Sequence, residues 1–260
     1  MCELLAMSSS RSSQLNFSLQ TLSGHTKNGA RDGWGIGFYQ GRDVALFREP
    51  VAASDSALVE FLQTQGPGTT LAISHIRHAT IGTKTLANTQ PMAREMAGRV
   101  HVFAHNGNLP CIAQARRFTL GRYQPVGDTD SEHAFCVLLD RMHSLWDATA
   151  PPTLAARLAV VTAFAAELRE LGPANFLYAD SEILFAHGDR RYQAADGSTS
   201  APGLVYLTCR CSDPAEPLQG VSITPGFQDL VLIASVALNE ERWHPFAEGQ
   251  IISVSMGRIL

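Results

Sequence analysis

Residues 1–7, MCELLAM, place a cysteine directly behind Met1 and at the start of a short apolar run. Removal of Met1 would expose Cys2 with a free α-amine, so one residue would carry both a thiol nucleophile and a base. An α-amine titrates at about 7.7–8.0 in model peptides, near neutral pH, and can accept the thiol proton. A small second residue is also common by chance. The stretch therefore predicts a buried strand and makes Cys2 a candidate nucleophile.

Similar apolar runs recur along the chain. Buried strands are predicted at 2–7, 34–39, 44–48, 71–77, 100–105, 176–180, 183–187, 204–208, 230–234 and 250–254. Helices are predicted at about 55–65, from the capping-box pattern Thr129-x-x-Glu132 to Met142, and at about 153–171. Asp180 and Ser181 are expected at the turn of a hairpin. The segments 189–203 and 211–227, rich in Gly, Pro, Ser and Asp, are expected to be surface loops. Many strands with few long helices indicate two stacked sheets covered by helices, in one domain over 1–260.

Composition narrows the class of protein. Of 260 residues, 45% are apolar and 17% charged, which is typical of a soluble globular chain. The net charge of −4 gives no electrostatic reason to expect nucleic acid or an anionic membrane as partner. No apolar run is long enough to span a bilayer, and no secretory signal is expected. Five irregularly spaced cysteines argue against a disulfide framework and favour a cytoplasmic location. Cys209 and Cys211 are accordingly predicted to be free thiols with a structural role.

The loop after the strand at 100–105 reads His105-Asn106-Gly107-Asn108. An Asn-Gly pair at a strand end is most often a turn. The functional alternative is an oxyanion hole, because an Asn carboxamide and a Gly backbone N–H can both point at an oxygen that gains charge during acyl transfer. Glycine suits such a position because no side chain blocks the approach.

Two further segments carry charges that fit an amino-acid substrate. Arg77 ends the strand at 71–77. It is either a surface charge or a residue that binds a substrate carboxylate with two parallel hydrogen bonds, in which case Thr80 would add a contact beside it. Acidic residues at 128–132 lie at the start of a predicted helix. They are either there because the helix dipole stabilises negative charge at this end, or they bind the ammonium group of a substrate. Arg77 and Asp130 together form a coherent pair for an α-amino acid head group. His75 and His78 lack nearby acidic or thiol ligands, so no metal site is predicted.

The segment Asp32-Gly33-Trp34-Gly35-Ile36-Gly37 superficially resembles a phosphate-binding loop. It precedes a predicted strand instead of opening a helix, so a nucleotide site is not predicted. Close backbone approach beside the active centre is the better interpretation of its glycines.

Taken together, these segments resemble the class II glutamine amidotransferases of the N-terminal-nucleophile hydrolase superfamily, and within it the stand-alone YafJ-like group. The resemblance rests on motifs in the expected order over essentially the whole chain: MCELLAMS, DGWGIGFY, SHIRHATIG, NTQPM, FAHNGNL, GDTDSEHAF and LIASVALNEERWHPFAEGQ. It implies an α+β fold, a four-layer α/β/β/α sandwich of two stacked antiparallel sheets.

The resemblance also implies roles for single residues. Cys2 would be the nucleophile after removal of Met1, and Asn106 and Gly107 would form the oxyanion hole. The substrate-binding residues would be Arg77 and Thr80 at the carboxylate, Asp130 at the ammonium, and His105 before the oxyanion asparagine. The position after Arg77 is aromatic in several synthase-linked relatives but is His78 here, so the resemblance does not extend to a lid or stacking role at that position.

The expected reaction is cleavage of the side-chain amide of glutamine or of a γ-glutamyl compound through a Cys2 glutamyl thioester, without metal or organic cofactor. In one interpretation, which stays open, ammonia passes to a separate synthase or acceptor subunit, because the chain is too short to carry a synthase domain of its own. The alternatives are a γ-glutamyl peptide or amide hydrolase that does not use free glutamine, and a catalytically degenerate scaffold.

Overall fold

The computed structural model describes residues 2–14, 16–17, 32–78, 83–146, 150–193, 196–211, 221–222, 228–240 and 242–260. In these ranges the strands are β1 (Glu3–Gln14), β2 (Asn16–Phe17), β3 (Trp34–Gln40), β4 (Asp43–Glu49), β5 (Gly68–Ile76), β6 (Met92–Met96), β7 (Arg99–Gly107), β8 (Ala174–Ala179), β9 (Leu184–Gly188), β10 (Arg191–Tyr192), β11 (Thr199–Ser200), β12 (Val205–Cys211), β13 (Val221–Ser222), β14 (Gln228–Ala234), β15 (His244–Pro245), β16 (Gln250–Ser255) and β17 (Arg258–Ile259). The helices are α1 (Ala57–Gln65), α2 (Asp130–His143) and α3 (Leu154–Arg169), with 3-10 turns at Ala53–Asp55, Ile112–Gln114 and Arg116–Phe118. No described helix is both long enough and apolar enough to cross a membrane.

Two antiparallel sheets contain most of these strands. The first has the order β15-β12-β14-β1-β5-β3-β4, and the second has the order β17-β16-β9-β8-β7-β6. In the first sheet β1 lies between β14 and β5, with Leu5 opposite Ala234 and Ser74. In the second sheet β7 lies between β6 and β8. The strand behind Cys2 and the strand that ends at Asn106-Gly107 are therefore both interior strands.

The sheets stack face to face, and helices cover both outer faces. Along β1, Leu4 and Ala6 point into the core between the sheets, whereas Leu5 and Met7 point to the face that α1 covers. A strand that is buried on both faces reads as a continuous apolar run, which is what CELLAM is. Helices α2 and α3 pack on the outer face of the second sheet. The α/β/β/α sandwich expected from the resemblance is confirmed.

The ten predicted strands and three predicted helices are all present, with shifted ends. Helix α1 begins after Ser56, α2 after Thr129 and α3 after Thr153, and each of these side chains accepts a backbone N–H of the first turn. Only half of the predicted capping box forms. The Thr129 hydroxyl accepts from Glu132 N at 3.2 Å, but Glu132 Oε2 accepts from Gly127 N at 2.7 Å instead of from the cap residue.

Two expectations about the C-terminal half change. The segment 189–203, predicted as a surface loop, contains the β10–β11 hairpin. The other predicted loop, 211–227, begins with the last residue of β12 and contains β13, and its remainder lies outside the described residues. The prediction that Cys209 is a free thiol is wrong, because Cys209 is disulfide-bonded. Cys2, Cys111 and Cys136 are free, so an odd number of cysteines in the chain is compatible with a disulfide.

Three histidines have no solvent exposure, and they come from three different strands. His75, His101 and His187 are completely buried on β5, β7 and β9. Burial lowers the pKa of His75 and of His101 to about 3 and that of His187 to about 4. A buried imidazole therefore stays neutral at a pH where the same residue in the unfolded chain takes up a proton.

We expect acid to destabilise the fold through these histidines. Between pH 6.5 and about 4 the unfolded chain binds more protons than the folded one, so stability is present above pH 6.5 and is lost as the pH falls. Each histidine contributes a slope of about 1.4 kcal/mol per pH unit, so roughly 2 kcal/mol per histidine is lost between pH 7 and pH 5. Urea unfolding at pH 7, 6 and 5 measures this loss.

A matched pair of variants identifies the source of the slope. His101→Gln keeps a polar partner for Tyr178 Oη, which lies 2.8 Å from His101 Nδ1, but it cannot take up a proton. It should lower the slope by about 1.4 kcal/mol per pH unit. His244→Gln, at an exposed position, should leave the slope unchanged. An unfolding free energy that stays constant from pH 7 to pH 5 would contradict the expectation.

Candidate active site

Cys2 lies at the edge of the sandwich, where the ends of β1 and β5 meet. Pairing of Glu3 with Ile76 places Cys2 beside the residues that follow β5. The half-buried thiol contacts the backbone of His78 twice: Sγ accepts from His78 N at 3.3 Å and donates to His78 O at 3.5 Å. Burial raises the pKa of the Cys2 thiol, and the hydrogen bond from His78 N–H opposes that shift. A thiol in this position is protonated at neutral pH and needs a base before it can attack.

Asn106 comes from the opposite sheet and contacts Cys2 directly. Its carboxamide nitrogen Nδ2 donates to Cys2 O at 2.7 Å, and its side chain is buried. A carboxamide nitrogen carries two hydrogens, so one remains for a second acceptor. The backbone of Asn106 is held in turn, because Asn175 Nδ2 donates to Asn106 O at 3.1 Å. The donor is therefore fixed against the candidate nucleophile by contacts on both its side chain and its backbone.

Gly107 occupies a position that has no room for a side chain. A Cβ atom there would lie 1.9 Å from Pro173 O and 2.6 Å from His105 Nε2. The chain can pass this point only without a side chain, which explains the glycine on packing grounds. The packing also leaves the surface next to Asn106 free of side-chain atoms from residue 107.

Arg77 is buried directly beside the residue that holds the Cys2 thiol. Its backbone N donates to Gly33 O at 2.8 Å, and its guanidinium Nη1 donates to Thr83 O at 3.0 Å. In the glycine-rich segment that contains Gly33, the chain approaches a neighbouring backbone closely, since a Cβ on Gly35 would lie 2.3 Å from Gln90 O. The expected close backbone approach at the glycine-rich segment is confirmed.

Asp130 is the first residue of α2, and its carboxylate faces the loop that follows β7. Oδ2 accepts from Leu109 N at 2.8 Å, and Oδ1 accepts from Ser131 N at 2.7 Å. These backbone donors fix the carboxylate next to the Asn106-Gly107 segment and at a helix N-terminus, where a negative charge is favoured. Its role toward a substrate ammonium stays a prediction.

His105 and Thr80 complete the predicted set. The His105 ring is buried, and its Nδ1 lies 2.9 Å from Ser131 Oγ. Burial lowers the pKa of His105, and the charge of Asp130 opposes that shift. The contacts of this ring are thus with the protein, and its substrate role stays a prediction. Thr80 lies outside the described residues.

Buried amide side chains that the sequence analysis did not assign brace the site. Gln90 Oε1 accepts from His105 N at 2.6 Å, and its Nε2 donates to His105 O at 3.3 Å. Asn175 and Asn88 are similarly buried, with partners distant in sequence. For Asn88 and Gln90 the only available signal was their occurrence inside the motif NTQPM, and Asn175 lies in none of the motifs. Within the described ranges, no group of three or more His, Cys, Asp or Glu side chains is placed to hold a metal ion.

Comparison with known proteins agrees with the fold. The chain is 35% identical over 189 residues to the Escherichia coli (strain K12) protein named "Putative glutamine amidotransferase YafJ", which covers 72% of each chain. The crystal structure of a predicted glutamine amidotransferase from Pseudomonas aeruginosa superposes with a TM-score of 0.72 at 31% identity, over 99% of both chains. A glutamine phosphoribosylpyrophosphate amidotransferase from B. subtilis shares the fold, with a TM-score of 0.59 at 15% identity, over 99% of this chain and 48% of that one.

The same family is matched along the entire sequence. Residues 1–260 match the family described as glutamine amidotransferases class-II. Together with the stacked antiparallel sheets and the Cys2–Asn106 contact, this match leads to one conclusion: the chain belongs to the class II glutamine amidotransferases.

Proposed function

We propose that this protein cleaves the side-chain amide of glutamine, or of a γ-glutamyl compound, through a glutamyl thioester on Cys2. The observation that carries the proposal is the direct contact between the candidate nucleophile and the candidate oxyanion donor. Asn106 Nδ2 lies 2.7 Å from Cys2 O, while the backbone of His78 holds the Cys2 thiol. Nucleophile and donor come from different sheets, so the fold itself brings them together.

In the first half of the reaction, the α-amine of Cys2 takes the thiol proton after removal of Met1. The thiolate sulfur attacks the amide carbon, and the carbonyl electron pair moves onto oxygen. The second hydrogen of the Asn106 carboxamide and the Gly107 N–H stabilise the resulting oxyanion. The C–N bond then breaks, and the leaving nitrogen takes the proton from the α-ammonium. Ammonia or an amine departs and leaves the thioester.

In the second half, water replaces the leaving nitrogen. The α-amine accepts a proton from water as its oxygen attacks the thioester carbon, and the same two donors stabilise the second oxyanion. The C–S bond breaks, and the thiolate recovers the proton. The products are glutamate and the starting enzyme. Each step uses groups of the chain itself.

Substrate recognition follows from the two charges beside the nucleophile. The Arg77 guanidinium would bind the α-carboxylate, since a planar fork with several donors matches that group. The Asp130 carboxylate would bind the α-ammonium, Thr80 would support the carboxylate side, and His105 would contact the substrate next to the oxyanion asparagine. Free glutamine and γ-glutamyl conjugates share this head group. We therefore include both in the proposed substrate class.

The proposal also covers the extent of the domain, its location in the cell and a partner subunit. Residues 1–260 would act as one domain in the cytoplasm, and a separate synthase or acceptor subunit would take up the ammonia. A γ-glutamyl peptide or amide hydrolase that does not use free glutamine, or a catalytically degenerate scaffold, would replace it.

A substrate panel tests the proposal. Protein that begins at Cys2 is incubated with glutamine, a γ-glutamyl peptide, a γ-glutamyl amine and asparagine, and release of ammonia or amine is followed. We expect glutamine to be hydrolysed and asparagine, one methylene shorter, to be left intact, because the amide must reach Cys2 from a head group held at a fixed distance. If ammonia or amine is released only from the γ-glutamyl conjugates, then these compounds and not glutamine are the substrates. Silence across the whole panel would contradict an enzymatic role.

A further inference from the structure

Asn88 is a buried asparagine whose side chain joins two loops next to the site. Its Nδ2 donates to Thr83 O at 3.1 Å and to Asp128 Oδ1 at 2.5 Å, and its Oδ1 accepts from Asp128 N at 3.0 Å. A carboxamide has two donor hydrogens, and both are used here. The side chain is 1% exposed, so these contacts are shielded from water.

One of these loops holds Arg77. The carbonyl of Thr83 accepts from Asn88 Nδ2 and also from Arg77 Nη1, which lies 3.0 Å away. Asn88 and the Arg77 guanidinium thus donate to the same oxygen, Thr83 O, and the position of the guanidinium depends on that of Asn88. A planar guanidinium binds a carboxylate well only in the correct orientation. Displacement of the Thr83 carbonyl would therefore change the orientation of the Arg77 guanidinium toward a substrate carboxylate.

The other loop leads into Asp130. Asp128 is two residues ahead of Asp130, and the loop packs closely on Asn88, since a Cβ on Gly127 would lie 2.2 Å from Asn88 Oδ1. Gly127 N in turn donates to Glu132 Oε2 at 2.7 Å, within the first turn of α2. Movement of Asn88 would therefore be transmitted to the start of α2 and to the Asp130 carboxylate.

We propose that Asn88 is a positioning residue that fixes the separation between Arg77 and Asp130. It thereby makes the site selective for substrates that carry both charges of an α-amino acid head group. The inference rests on the proposed function, in which those two residues bind the carboxylate and the ammonium. A substrate with both charges needs both partners at one spacing, whereas a substrate with one charge can adjust to a single partner.

The test compares glutamine with two analogues that each lack one charge. These are 4-carbamoylbutanoate, which lacks the amine, and 4-aminobutanamide, which lacks the carboxylate. In Asn88→Ala we expect kcat/KM for glutamine to fall by about 10- to 100-fold, mainly through KM, and to fall less than about threefold for either analogue. For an analogue that is not turned over, its inhibition constant against glutamine takes the place of kcat/KM.

A second variant covers the case in which Asn88→Ala folds poorly. Asn88→Asp keeps the shape but sets a carboxylate against Asp128 and loses the donor to Thr83 O, so it should also lose the preference for glutamine. Adding Asp128→Asn restores a donor and an acceptor across this pair and should recover part of that preference. Gln40→Ala is the matched control, because Gln40 Nε2 bridges to Gly68 O at 2.8 Å at the far end of β3. It should leave all three substrates unaffected.

The outcomes separate the inference from the proposed function. An equal loss for all three substrates would mean that Asn88 only supports the fold, and the inference would be wrong while the proposed function stands. Absence of hydrolysis of both glutamine and the γ-glutamyl conjugates by the unmodified protein would overturn the proposed function, and the inference with it. A loss confined to glutamine would support both.

Discussion

We expect the Cys2→Ala variant to lose glutamine hydrolysis down to background, a fall of more than about four orders of magnitude. The thioester requires a nucleophile at this position, and no other described thiol can replace it. Cys136 is buried in α2, Cys209 is disulfide-bonded, and Cys111 lies on an exposed turn. Alanine is also small enough to allow removal of Met1, so the chain terminus should still be processed.

Ammonia release and covalent labelling measure this effect together. An electrophilic glutamine analogue should modify the unmodified protein at Cys2, as read by peptide mass spectrometry, and should leave Cys2→Ala unlabelled. Cys111→Ala is the matched control and should keep full activity, because its thiol is exposed and has no place in the proposed reaction. Substantial turnover by Cys2→Ala would remove Cys2 from the chemistry.

Activity should also follow the fraction of chains that begin at Cys2. Burial raises the pKa of the Cys2 thiol, so the attack depends on a base close to the sulfur. The α-amine is that base only when Met1 is absent. Intact-mass analysis of samples that differ in Met1 content gives the fraction, and full activity in chains that keep Met1 would exclude the α-amine as the base.

Much of the fold could be predicted from the sequence because its strands are long and buried. In β1 both faces are covered, so the apolar run is continuous and easy to recognise. Strand β6, Met92–Met96, was missed because it lies at the edge of its sheet and carries polar residues between two buried methionines. The two-residue strands, such as β10 and β15, were missed because two residues contain no periodicity.

The site was predictable only where chemistry depends on side-chain identity. Cys2, Asn106 and Gly107 lie in motifs whose residue types indicate acyl transfer, and Cys2 and Asn106 are in contact in the structure. The role of His78 was not predictable, because it contacts Cys2 Sγ through backbone atoms that every residue possesses. The contact of Asn88 was not predictable either, since its partner Asp128 is 40 residues away along the chain.

Replacing Asn106 with alanine should lower kcat by about 10²–10³ while KM changes little. The carboxamide acts on charge that develops only in the transition state, so its loss affects the chemical step more than substrate binding. Asn108→Ala, two positions further along the same loop and at an exposed side chain, should leave kcat unchanged. The measurement is steady-state ammonia release by protein that begins at Cys2.

A second readout separates stabilisation of the oxyanion from support of the nucleophile. Asn106 Nδ2 also donates to Cys2 O at 2.7 Å, so the loss of oxyanion binding has to be distinguished from displacement of the thiol. Alkylation of Cys2 by iodoacetamide forms no oxyanion, so its rate reports only on the thiol. In a Cys111→Ala background, which removes the exposed thiol, Asn106→Ala should keep this rate within about threefold while kcat falls by about 10²–10³. If both rates fell together, Asn106 would act by holding Cys2 and not by binding the oxyanion.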